Sequence, residues 1–123
     1  MWTYRQSTGE LSRDGKVAGV GYSGHGYHAN QPTDQELHRL GPIPRGFYAI
    51  RNWRDDAHKG PCVCDLVPDP GNQMHGRDGF MLHGDNSAGN HTASEGCIIQ
   101  NHATRAYVRV KATEGDDRLE VIE

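Results

Sequence analysis

The chain has 123 residues, 34% of them hydrophobic, with 16 Gly, 6 Pro and a formal net charge of -3. That length and composition fit one domain, residues 1–123, with a small core and many loops. The 13 Lys and Arg are scattered singly, which excludes the basic stripe of a nucleic-acid-binding surface. No run approaches the roughly eighteen apolar residues of a membrane helix, so no membrane insertion is expected.

The opening MWTYRQSTGE lacks the charged start and apolar middle of a signal peptide. It predicts a protein made in the cytoplasm without a signal peptide. Alternation then predicts a β-meander: WTYRQ, a turn at STG, ELSR, a hairpin turn at Asp14-Gly15, and KVAGVGYSG. In GHGYHANQPTDQELHRL the alternation breaks, and a short helix is predicted to open at Pro32 or Thr33, with Gln35 to Leu40 its periodic part. The double-proline turn GPIPRG feeds GFYAIRNW, whose aromatic and aliphatic residues alternate with polar ones as a half-buried strand requires.

RDDAHKGP reads as a loop, and CVCDLVP as a strand with Cys62 and Cys64 on one face. DPGNQMHGRDG reads as a long polar loop, and GFMLHG as a short strand ending at His83. GDNSAGNHTASEG has no periodicity. IIQNHATRAYVRV predicts a short helix directly after Cys97 with a strand following it, and DRLEVIE closes the chain in alternation. The fold class is mainly β with one or two short helices. Three cysteines cannot all pair within one chain, so Cys62 and Cys64 read as small, half-buried residues of a reduced chain.

The chemistry concentrates between His83 and Cys97. A free cysteine is only about a few per cent thiolate at neutral pH, so a nucleophile needs an imidazolium or a helix N-terminus beside it. SEGC followed by IIQNHA places Cys97 ahead of the predicted helix, whose free N–H groups would favour a thiolate and cradle a developing oxyanion. Gly96 removes a side chain that would crowd that approach. His83, at the end of an apolar strand, would be held as a positioned general base. With eight His and three Cys, some would also share a neighbourhood by chance.

Asp85 and Asn86 follow the base closely and either orient a ring, bind substrate or serve the turn. His91 is a nearby substitute for His83 or a solvent-facing loop histidine, and His75 reads as a loop histidine. Two other classes compete. His83, Asp85, His91 and Cys97, with Cys62 and Cys64, hold enough donors for a zinc peptidase site, although no paired CxxC or HExxH spacing is present. A non-catalytic wall-binding module is the third reading.

HGDNSAGNHTASEGCII resembles the His and Ser-x-Gly-Cys signature of L,D-transpeptidases, the YkuD-like enzymes of peptidoglycan metabolism, and GPIPRGFYAI is similar to their proline-glycine strand entry. Closer still is the likeness to a short branch without signal peptides, the type VI secretion effectors with an L,D-transpeptidase-type domain (the Tlde family). Its paired motifs are matched here by GYSG at 21–24, GPIPRGFY at 41–48, HGDN at 83–86 and SEGCII at 94–99. The resemblance covers residues 17–123.

It implies a β-sandwich-like catalytic domain with a short helix after the cysteine. By resemblance Cys97 is the nucleophile, His83 its base, the N–H groups around Gly96 and Cys97 the oxyanion hole, and Ser94 a shaper of the loop. Tyr22 and Ser23 would form cleft wall, and Asp85, Asn86, His91 and Glu95 are candidate substrate contacts. No metal and no cofactor is implied. The substrate would be peptidoglycan stem peptides, processed by L,D-carboxypeptidase or D-amino-acid exchange chemistry. The setting would be secretion into the periplasm of target bacteria, with a secretion-apparatus component and a cognate immunity protein as partners. Two residues depart from the larger enzymes: Glu95 replaces a His between Ser and Gly, and Ile99 replaces an Arg. The second change leaves Arg45, Arg77 and Arg105 as candidates for the substrate carboxylate.

Overall fold

A computed structural model describes residues 1–123. Strands β1 (Trp2–Arg5), β2 (Glu10–Arg13) and β3 (Lys16–Val20) form the predicted antiparallel meander. Asp14 and Gly15 take φ of 49° and 84°, the paired positive values of a tight turn whose twist matches its strands. There follow β4 (Tyr22–Ser23), β5 (Gly46–Asp56), β6 (Gly60–Pro68), β7 (Met81–His83), β8 (Ile98–Ile99), helix α1 (His102–Thr113) and β9 (Arg118–Ile122).

All nine strands belong to one mixed sheet, ordered β3-β2-β1-β9-β5-β6-β7-β8-β4, in which β1–β9 and β7–β8 are parallel pairs. The outermost strands, β3 and β4, are separated in sequence by Gly21 alone, so the sheet curls until its two ends nearly meet. The mainly β fold is therefore one sheet rolled into an almost closed barrel. At the seam, Gly21 N–H donates to Gly9 O at 2.9 Å. A Cβ on Gly21 would stand 1.7 Å from Ile99 O, so only glycine allows this closure.

The barrel interior is filled by Trp2, Tyr4, Tyr48, Ile50, Leu66, Leu82, Ile98 and Leu119, and α1 adds Val108 and Ala112. The helix begins where Asn101 caps it, its side chain accepting Thr104 N–H at 2.8 Å.

Four expectations change. The strand expected at the end of IIQNHATRAYVRV is instead part of α1, which runs on to Thr113. Of the helix predicted to open at Pro32 or Thr33, only Pro32–Asp34 coils, as a single 3-10 turn like the one at Gly26–His28 before it, and Gln35 to Leu40 continue as turns. Six residues are too few to repay helix nucleation, and Gln35 O accepts instead from Arg77 Nη1 at 2.7 Å. RDDAHKGP is mostly strand: β5 runs on to Asp56, whose Oδ1 accepts the N–H of both His58 and Lys59 at 2.9 Å and so ties a hairpin turn into β6. No helix follows Cys97 directly. Ile98 and Ile99 are β-branched and form β8, which places the helix start five residues beyond the cysteine.

Candidate active site

β7 and β8 run side by side, with Leu82 opposite Ile98 and His83 opposite Ile99. Leu82 and Ile98 face the core. Alternation therefore turns His83 and Cys97 to the other face, where they are diagonal neighbours. No hydrogen bond joins the two side chains.

His83 is 2% exposed. Its Nδ1 lies 2.8 Å from Gly84 O; a carbonyl only accepts, so the proton sits on Nδ1 and the lone pair on Nε2. Nε2 is buried and has no hydrogen-bond partner. Burial pushes the imidazole pKa below its ordinary value; the Gly84 carbonyl opposes this, Lys59 and Arg105 add to it, and Asp85 opposes it. Burial likewise raises the Cys97 thiol, against the Met81 backbone, Lys59 and Arg77, and with Glu95. Both shifts favour the neutral forms, thiol and imidazole. This differs from the preformed thiolate that a helix N-terminus would have favoured, and the intervening β8 is the reason.

Two hydroxyls tie together the motifs around the cysteine. Ser94 is fully buried; its Oγ donates to Cys97 O at 2.6 Å and accepts Gly24 N–H at 2.9 Å and Gly96 N–H at 3.1 Å. Ser23 Oγ donates to Gly96 O and accepts Ile43 N–H, both at 2.8 Å. Gly96 N–H is thus engaged, whereas Cys97 N–H meets no acceptor within the chain. Gly96 itself has φ 134°. A Cβ there would lie 2.6 Å from Arg77 Nη2 and 2.7 Å from Phe80 Cε1, so the glycine makes room for the side chains behind it.

Arg77 is the structural residue that sequence reasoning left unresolved. Its guanidinium, over the Phe80 ring at 5.2 Å, donates to Gln35 O at 2.7 Å, Pro42 O at 2.8 Å, Gly41 O at 2.9 Å and Glu95 O at 3.0 Å. It fastens GPIP to SEGC. Nothing in NQMHGRDGF marks it locally, because every partner is distant in sequence. Arg105 is similarly engaged with Cys62 O, Gln100 O and Pro61 O, and Arg45 stands 3.5 Å from Glu123.

The remaining candidates divide. Tyr22 OH donates to Asp85 Oδ1 at 2.6 Å and accepts Ala93 N–H at 3.2 Å, and His91 stacks on its ring at 4.3 Å. Asn86 Nδ2 donates to Thr92 Oγ1 at 2.9 Å. Tyr22, Asp85, Asn86 and His91 thereby shape the loop after His83. Glu95 instead lines an open cleft of about 410 Å³ together with Cys97, Met81, Arg39, Lys59 and Arg77. A larger groove, about 670 Å³, lies between β3 and α1 and is lined by neither cysteine nor histidine. All three cysteines are free. No three His, Cys, Asp or Glu side chains gather as metal ligands, and the donors considered for zinc are dispersed: Cys64 lies in the core and His91 on Tyr22.

A thiol and an imidazole on neighbouring strands beside a polar cleft are what thiol-dependent acyl transfer uses. Residues 18–122 match the family model of the Tlde1 domain, and the chain belongs to that family, the type VI L,D-transpeptidase effector family. Membership carries with it a peptidoglycan substrate context and the setting of a secreted effector. No curated protein and no solved structure matches the chain. No helix is long and apolar enough to cross a membrane.

Proposed function

We propose that the chain is a cysteine-dependent L,D-transpeptidase-type enzyme that processes tetrapeptide stems of peptidoglycan, acting as an antibacterial effector in the periplasm of a target cell. One observation carries this reading: His83 ends the strand paired with the residues that directly follow Cys97, and its Nδ1–H is held by Gly84 O while the Nε2 lone pair is buried without a partner. An unpartnered buried acceptor is costly, and a thiol proton would relieve it.

In this mechanism Cys97 Sγ attacks the carbonyl carbon of the third stem residue as Nε2 takes the thiol proton. The S–C bond forms, and charge on the carbonyl oxygen is met by Cys97 N–H. The C–N bond to the terminal D-alanine then breaks while the imidazolium returns its proton to the leaving amine. A thioester remains on Cys97. Water resolves it to a tripeptide, which is L,D-carboxypeptidase activity; a free D-amino acid resolves it by exchange, and a second stem by cross-linking. Hydrolysis and exchange both deplete tetrapeptide donors and weaken the wall. Such toxicity calls for a cognate immunity protein in the producing cell.

The test is mass spectrometry of purified disaccharide tetrapeptide incubated with the protein, with and without excess D-amino acid. Loss or exchange of the terminal D-alanine is expected with the wild type and not with Cys97→Ser or His83→Ala. Tetrapeptide left intact by a folded, reduced protein overturns the reading in favour of a wall-binding module.

A further inference from the structure

The cleft beside Cys97 contains cations that the fold does not use. Of its three, Arg77 gives four hydrogen bonds to carbonyls. Arg39 and Lys59 are exposed, and neither side chain has a hydrogen-bond or ion-pair partner in the chain. Lys59 sits at the tip of the β5–β6 hairpin, where the nearest carboxylate in sequence is already occupied: Asp56 accepts the backbone N–H groups of His58 and Lys59 and lies 3.9 Å from Arg54 Nε. The turn therefore fixes the Lys59 backbone while its ammonium remains unpaired. Glu95 and Asp78 also line the cleft, and neither stands within ion-pairing distance of it.

The position of Lys59 separates it from the other cations. Lys59 lines the cleft together with Cys97, as Arg39 does, but its charge also bears on both Cys97 and the buried His83. The leaving D-alanine carries a carboxylate one carbon away from the nitrogen that departs. An unpaired cation lining the same cleft as the attacking sulfur is placed to meet that carboxylate.

Resting on the reading of the chain as a Cys97 acyltransferase, we propose that Lys59 determines specificity by holding the terminal carboxylate of the leaving D-amino acid and, in exchange, that of the incoming one. Exchange retraces acylation: the incoming amine forms the C–N bond, the C–S bond breaks, and the amine proton passes through Nε2 to the thiolate. Both amino acids thus use one subsite. Water has no carboxylate, so hydrolysis of the thioester proceeds without this contact.

The experiment compares disaccharide tetrapeptides ending in a free carboxylate or a carboxamide, with release of D-alanine or D-alaninamide followed by mass spectrometry. Wild-type kcat/KM should favour the acid by about ten- to a hundredfold, the range of a charge-assisted contact. Lys59→Gln should bring that preference close to unity, mainly by slowing the acid, and should lower the exchange-to-hydrolysis ratio with added D-amino acid. Lys59→Arg should restore most of both. Lys59→Gln slowing acid and amide equally would assign Lys59 only a general electrostatic effect and overturn the proposal, as would an unchanged preference or loss of preference in Arg39→Gln instead. A wild type inactive on both substrates would remove the acyltransferase reading itself, a result distinct from failure at Lys59 alone.

Discussion

Replacing Arg77 with Met tests whether one buried guanidinium assembles the cleft. Arg77 is 7% exposed, and its four hydrogen bonds reach carbonyls in three segments: Gln35, the Gly41–Pro42 turn and Glu95. Each bond contributes about 1 kcal/mol net, and the contact with Phe80 adds about 0.5–1 kcal/mol. Met keeps much of the volume but none of the donors. The expected loss is about 3–5 kcal/mol, large against the roughly 5–15 kcal/mol of a typical domain. At about 3–5 °C per kcal/mol for a chain of this size, Tm should fall by about 10–20 °C in scanning calorimetry. Arg77→Lys keeps the charge but not the planar fork and should recover less than half of that. Activity at 20 °C should fall with stability, because Glu95 O is released two residues before Cys97. A Tm within about 3 °C of the wild type would refute the assignment of Arg77 as the tie between these segments.

Gly96→Ala should cost about 2–4 kcal/mol and at least about a hundredfold in D-alanine release, since the added Cβ meets Arg77 and Phe80 at a positive φ; calorimetry and the tetrapeptide assay measure both. Tyr22→Phe removes the donor to Asp85 and the acceptor of Ala93 N–H, so proteolysis within residues 84–93 should quicken with a stability loss of about 1–2 kcal/mol. Because His83 is held below its ordinary 6.5, kcat/KM should stay level through pH 6.5 and fall only below it, as the base is protonated. Decline on the alkaline side beginning well below the thiol's ordinary 9.0 would instead mean that an imidazolium is required. The same depressed pKa has a stability sign: the unfolded chain binds the proton first, so stability is full above 6.5 and is lost as pH falls through the window below it. His83→Gln should lose less stability over that window in urea titrations.

What the sequence makes legible is local. The Asp14-Gly15 turn, the alternation of GFYAIRNW and DRLEVIE, and the apolar run ending at His83 each set an element through neighbours only a few residues apart. Hidden features depend on distance. The two-residue strand β8 is too short to show a period, so Ile98 and Ile99 read as the start of the helix that Asn101 actually caps. Closure through Gly21 depends on Ile99 O and Gly9 O, and the role of Arg77 on carbonyls up to 42 positions away. Ser23 and Ser94 were visible as motif letters, but their joint support of the cysteine loop follows only from the folded hydrogen bonds. The unpaired state of Lys59 was equally invisible, because it depends on Asp56 being occupied by the hairpin's own amides.

Whether Cys97 carries the acyl group is read by intact-protein mass spectrometry after a rapid acid quench, with disaccharide tetrapeptide as substrate. A covalent adduct equal to the disaccharide tripeptide acyl group is expected, mapped by digestion to the Cys97 peptide, released by hydroxylamine as a thioester should be, and absent from Cys97→Ala. D-alanine release by Cys97→Ala, or an adduct on Cys62 or Cys64 in the wild type, would contradict acyl transfer through Cys97.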